Sequence, residues 1–208
     1  MENLFRYDSK FWSVLGKITD IVILNLMCIT FCLPIITAGA SITAAYSIAT
    51  KMVKKQGVYI VQEFIKNFKS NLKISTFVWI IMLAVGLILG FDIHISKLVL
   101  NKSISIILQF IFTTVSIVFI FALIYVFPII SKFDNTIIKT ITNSILISID
   151  NLPYTIIIVM INLSPLLLTS IFNSCWGQIL FFYTVIGFGI NIYLNSILFN
   201  KIFEKYVK

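Results

Sequence analysis

The sequence predicts an all-α fold: a polytopic transmembrane helix bundle of five full spans, a short small-residue return or re-entrant helix, and interfacial amphipathic helices. Three observations predict it. The thirty residues Ile21–Thr50 carry no charged side chain, nor do Ile74–Phe91 and Ser103–Ser131, and Lys201 is the sole charge in Tyr154–Phe203. About 20 apolar residues cross the ~30 Å hydrocarbon layer as a helix, and backbone amides in lipid must be satisfied internally. Mean hydropathy is +1.03 with 12% charged residues, well below the roughly one quarter of a soluble domain. The unbroken apolar runs exclude a barrel, whose strands alternate over about ten residues. The chain, 1–208, reads as a single integral membrane domain.

Met1–Lys17 mixes Leu4, Phe5, Phe11, Trp12 and Leu15 with Arg6, Lys10 and Lys17, the pattern of an interfacial N-terminal helix with an aromatic anchor. Its charged region and the apolar run behind it are both too long for a signal peptide, so it is expected to stay with the mature protein. Thr19 or Asp20 is expected to cap the first span.

Ile21–Thr50 is too long for one upright helix, and Pro34 divides it. The small residues Thr37–Ala45 that follow allow close helix approach. Either Ile21–Pro34 crosses and Ser41–Thr50 returns, or one helix crosses alone. With the return, 14 of the 16 basic residues lie on one side and 2 on the other; with a single crossing the split is 11 to 5. Positive charge accumulates on the cytoplasmic side, which favours the hairpin and a cytoplasmic C-terminus.

Residues 51–73 read as a cytoplasmic basic amphipathic helix. Val61, Phe64, Ile65, Phe68 and Leu72 follow one helical face, and Gln62, Glu63, Lys66, Asn67, Lys69 and Lys73 supply a polar face suited to docking a partner or the lipid surface. Ile74–Phe91 is the next span, with a GxxxG at Gly86 and Gly90. A short loop, Asp92–Lys102, leads to the span Ser103–Ser131. Lys132–Asp150 forms a second connection, amphipathic through Ile137, Ile141, Ile145 and Ile149. Asp150-Asn151-Leu152-Pro153 is a helix start with an Asp or Asn cap. Pro153–Phe172 and Ile179–Phe203 complete the spans. On the last, Tyr183, Gly187, Asn191 and Asn195 recur every four residues as an intramembrane polar stripe, either packing helices or lining a polar path.

Composition narrows function. The net charge of +8 is matched by anionic lipid headgroups, and no nucleic-acid motif accompanies it. No acid lies inside a span: Asp20, Asp92 and Asp150 fall at span ends, which argues against self-sufficient ion-coupled transport. No Walker A, GxSxG or HExxH motif is present, and His94 is the lone histidine, so no enzyme, cofactor or metal site is expected. Cys28 and Cys32, one turn apart, read as small buried packers rather than a redox pair.

Three segments in order carry a resemblance: Asn25-Leu-Met with Leu33-Pro-Ile-Ile-Thr-Ala-Gly39 and Thr43-Ala-Ala-Tyr46; Glu63-Phe-Ile-Lys-Asn-Phe-Lys-Ser-Asn-Leu72; and Tyr125-Val-Phe-Pro128 through Asn151-Leu-Pro153. Together with Asn195-Ser-Ile-Leu-Phe199 they resemble the YesL family of small bacterial integral membrane proteins, whose function is unknown. Ala40 stands where many relatives have Pro. The resemblance implies a multi-pass protein of the bacterial inner membrane. It further implies a non-enzymatic accessory role beside a carbohydrate ABC importer, with permease or ATPase subunits as partners. A passive channel or uniporter for a polar solute, and a sensor or assembly scaffold, are the alternatives. No site residues follow from the resemblance, and the oligomeric state is open.

Overall fold

The computed structural model describes residues 10–99 and 101–207, and among these every regular element is a helix. The order is α1 (Lys10–Cys32), α2 (Ala38–Val53), α3 (Ile60–Ser96), α4 (Lys102–Lys132), α5 (Ile137–Asp150), α6 (Leu152–Ile171), α7 (Trp176–Phe182) and α8 (Phe188–Glu204), with a π-helical turn at Tyr183–Gly187 between the last two. Five stretches are long and apolar enough to span a bilayer: Val14–Cys32, Ile60–Ser96, Lys102–Lys132, Leu152–Ile171 and Trp176–Glu204. The fold is the expected helical membrane bundle.

The chain reverses at Pro34, which is extended (φ −74°, ψ 111°) and lacks an amide donor, so α1 ends before it. Ser41 Oγ donates to the Cys28 carbonyl at 2.8 Å, and Thr37 Oγ1 donates to the Phe31 carbonyl at 2.9 Å, stitching α2 back onto α1. Lys17 and Asp20 near the start of α1 line one cavity with Met52 and Lys55 at the end of α2. The two ends of the hairpin therefore lie on one side, as the charge count favours.

α2 is the centre of the bundle, packed against α1, α3, α4 and α8. Ten of its sixteen residues are buried, most of them Gly, Ala, Ser or Thr. A Cβ on Gly39 would lie 2.7 Å from the Ser75 carbonyl oxygen and 2.8 Å from Trp79 Cβ, so only glycine lets α2 and α3 touch there. At the hairpin turn, Trp79 Nε1 donates to the Ile35 carbonyl at 2.7 Å. Trp79 stands seventeen residues before the end of α3 at Ser96. At 1.5 Å per residue the turn meets α3 about 25 Å short of that helix's far end.

Several boundaries differ from the sequence reading. Residues 1–9 of the expected N-terminal interfacial helix lie outside the described residues, while Lys10–Lys17 are simply the first turns of α1. Thr19 does not cap: its Oγ1 donates to the Leu15 carbonyl at 3.0 Å inside a continuous helix. Residues 51–73 are not one helix. Lys51–Val53 finish α2, a turn follows, and Ile60 starts a 37-residue helix that runs unbroken through Lys73 into the span. No Pro or Gly stands between Val58 and Val85 to stop it. The GxxxG does not form a two-point contact, since a Cβ on Gly86 would only reach the Phe119 ring at 3.4 Å and one on Gly90 would meet nothing within 4 Å. In α5 the buried face is Thr140, Ser144, Ile147 and Ser148, with Ile137, Ile141 and Ile145 flanking it and Ile149 exposed.

Candidate functional site

The polar face of residues 62–73 separates into two parts. Gln62, Lys66, Lys69 and Lys73 are exposed and spaced by four, three and four residues, so they form one open basic stripe along α3. Glu63 and Asn67 turn toward α2 instead. Lys51 Nζ donates to Glu63 Oε2 at 2.6 Å, Ser47 Oγ donates to Asn67 Oδ1 at 3.0 Å, and Asn67 Nδ2 donates to the Glu63 carbonyl at 2.8 Å. Beneath them Phe64 is fully buried, and its ring and that of Phe68 lie 5.4 and 4.8 Å from Phe31 of α1. Val61 and Leu72, expected on the same apolar face, are exposed. The stripe is thus carried by a helix clamped to the bundle and continuous with a span.

The second predicted set is also divided. Tyr183 Oη and Ser164 Oγ share a hydrogen bond of 2.7 Å, and Asn191 Nδ2 donates to the Ile161 carbonyl at 3.2 Å, so both residues bind α8 and its preceding turn to α6. Gly187 is buried beside the Tyr183 ring, which a Cβ would meet at 2.8 Å. Asn195 faces α2, where its Nδ2 donates to Tyr46 Oη at 3.4 Å. Further along α8, Asn195 Oδ1, Ser196 Oγ and Asn200 Nδ2 are buried without a partner among the described residues.

Three constellations pair residues that sequence reasoning did not pair. The fully buried Asn25 of α1 bridges the π turn: its Nδ2 donates to the Thr184 carbonyl at 2.6 Å and its Oδ1 accepts from the Gly189 amide at 2.7 Å. A lone Asn early in an apolar run is the visible signal, but its partner lies 164 residues away. Tyr125 Oη and Thr155 Oγ1 lie 2.7 Å apart, joining α4 to α6 in the core. At the end of the chain, Lys205 Nζ donates to Asp150 Oδ2 at 2.7 Å and Tyr206 Oη donates to the same oxygen. Asn151 precedes α6 as expected but does not cap it; its Nδ2 donates to the Ile147 carbonyl at 3.0 Å and to Tyr206 Oη at 2.9 Å. The Lys205 ammonium holds the Asp150 carboxyl below its usual range, with Tyr206 adding to it, and Asp150 in turn raises Lys205.

Cys28 is buried with Ser41 Oγ 3.5 Å from its sulfur, Cys32 is half-buried and Cys175 exposed. His94 is exposed in the last turn of α3. Among the described residues no three of His, Cys, Asp or Glu gather as metal ligands. The geometry therefore offers an exposed basic stripe, interhelical locks and cavities.

No curated protein and no protein of known structure is similar enough to this chain to match it. Residues 21–93 do match the model of a family described as "Protein of unknown function, DUF624". That stretch comprises the second half of α1, all of α2 and nearly all of α3, so the likeness to this family rests on the hairpin and the helix that clasps it.

Proposed function

We propose that this chain is a non-enzymatic accessory subunit of a carbohydrate ABC import system in the bacterial inner membrane, with its C-terminus in the cytoplasm. The YesL resemblance motivates the system. The observation that supports a docking role is the α3 stripe: Gln62, Lys66, Lys69 and Lys73 project from a helix that passes without interruption into a span. A partner seated on the stripe would bear on a rigid lever rather than a loose surface helix. Permease or ATPase subunits are the expected partners, and they supply the energy that this chain has no motif to generate.

The experiment is co-purification with the importer encoded in the same genome after Gln62, Lys66, Lys69 and Lys73 are each changed to Ser. At least a ten-fold loss of recovered permease and ATPase, with the variant still monodisperse, supports docking. Undiminished recovery overturns it.

A second reading, a passive path for a polar solute, draws on the unpartnered buried atoms Asn195 Oδ1, Ser196 Oγ and Asn200 Nδ2 on α8. It requires flux through liposomes without ATP, reduced by Asn195→Leu. Absence of flux from correctly inserted protein removes it.

A further inference from the structure

Where the start of α1, the turn between α2 and α3, and α8 converge, a half-enclosed cavity of ≈ 370 Å³ is lined by Lys17, Asp20, Lys55, Gln56 and Tyr193. Met52, Val58 and Ile60 give it an apolar wall. The volume is at the lower end of small-molecule sites, which run from about 300 to 1,000 Å³. Both lysines are exposed. The ion pairs among the described residues are Lys51–Glu63 and Lys205–Asp150, so neither cavity lysine is neutralised by one. Asp20 of the cavity wall immediately precedes Ile21, where the uncharged run of α1 begins, which puts the cavity at the membrane surface.

Lys55 holds a backbone φ of 55°, just past the end of α2. Glycine is the residue that takes this left-handed position after a helix without steric cost, whereas a side chain is strained there. A lysine kept in strained backbone on a cavity wall points to a use for its ammonium group.

We propose that this cavity binds a phosphate ester bearing free hydroxyl groups. The Lys17 and Lys55 ammonium groups take the phosphate as charge-assisted donors. The Asp20 carboxylate accepts from hydroxyls, the Gln56 amide offers donors and an acceptor, and the Tyr193 hydroxyl can do either. The carboxylate disfavours a bare anion and favours a ligand that carries donors next to its charge. The wall of Met52, Val58 and Ile60 accommodates an aliphatic stem. A glycerol-phosphate headgroup on a membrane lipid and a soluble glycerol phosphate share this chemistry.

The test uses the full chain in mild detergent. Native mass spectrometry measures retention of phosphatidylglycerol against phosphatidylcholine, and calorimetry measures soluble glycerol 3-phosphate. Wild type is expected to prefer one glycerol-phosphate probe at least ten-fold over phosphatidylcholine. Lys17→Gln and Lys55→Gly each reduce that binding about ten-fold, whereas Lys139→Gln, on the exposed side of α5, leaves it unchanged. Lys55→Gly relieves the strained φ, so its loss of binding is not a loss of folding. Retained phosphatidylglycerol that glycerol 3-phosphate does not displace assigns the lipid source; displacement assigns the soluble one. No preference over phosphatidylcholine together with no glycerol 3-phosphate binding overturns the site, as does binding unchanged in both cavity variants. These residues are separate from the α3 stripe, so the result is independent of the docking experiment.

Discussion

Asn25 of α1 stands in the gap between the Gly189 amide and the Thr184 carbonyl, accepting from the first at 2.7 Å and donating to the second at 2.6 Å. The π turn at Tyr183–Gly187 opens that gap, because the Phe188 amide reaches back five residues to the Tyr183 carbonyl. Gly189 lets α1 come close enough: a Cβ there would lie 2.8 Å from the Ile21 carbonyl oxygen. One amide side chain thus repairs a break in a distant helix, in a solvent where no water is at hand.

Replacing Asn25 with Leu strands a backbone donor and acceptor in the apolar interior. The expected loss is about 2–6 kcal/mol, from roughly 1–3 kcal/mol for each of the two unsatisfied groups. Reversible unfolding in mixed detergent micelles measures it, and a loss below about 0.5 kcal/mol would show that the bridge contributes nothing net.

The glycines separate by contact rather than by motif. Gly39→Ala and Gly189→Ala should each destabilise by about 1–3 kcal/mol through overpacking. Gly90→Ala, with open space around it, should be neutral or gain up to about 1 kcal/mol in helix propensity. The same unfolding assay ranks the three, and an equal cost at Gly90 would contradict the packing described.

The clasp of Asp150 with Lys205 and Tyr206 should respond to pH at both ends. Asp150 is depressed by Lys205 and then Tyr206, so its contribution is present above the unfolded carboxylate value and lost as pH falls through the lower folded one. Lys205 is raised by Asp150, so its contribution is present below the unfolded lysine value and lost as pH rises through the higher folded one. A spin label at Val207→Cys should be immobile at neutral pH and become mobile only as pH falls below the depressed Asp150 value or rises above the raised Lys205 value. In Asp150→Asn it should be mobile throughout, and an immobile label there would show that another contact holds the tail.

The hairpin turn exposes Leu33, Ile35 and Ile36 and abuts Trp79 well short of the end of α3. An apolar turn at that height belongs in hydrocarbon, so in a background with Cys28, Cys32 and Cys175 replaced, Ile36→Cys should react with a water-soluble maleimide about ten-fold more slowly than Gln56→Cys. Equal rates would place the turn in water.

Spans were legible in the residues because lipid as solvent imposes a one-dimensional rule: enough consecutive apolar side chains, and charge kept to the ends. Ile74–Phe91 and Ser103–Ser131 each appear inside a helix for that reason, and so does Pro153–Phe172 up to Ile171, where α6 ends. Pro34 likewise announced the reversal, since a missing donor and a restricted predecessor act locally. A polar face of Gln62, Glu63, Lys66, Asn67, Lys69 and Lys73 was visible from helical spacing; which of the six stay exposed was not.

What depended on the folded chain were the pairings. Glu63 and Asn67 share the polar face of α3 with their neighbours, and only the position of Lys51 and Ser47 on α2 turned them inward. Asn195 went to Tyr46 and Asn191 to Ile161, although their four-residue spacing suggested a common face. Asn25 finding Gly189, and Lys17 meeting Lys55 around one cavity, join residues far apart in the chain. Hydrophobicity sets which segments enter the bilayer, but it is nearly uniform between apolar helices once they are there. Which faces meet is then decided by close packing at Gly39 and Gly189 and by the few polar groups that must find one another.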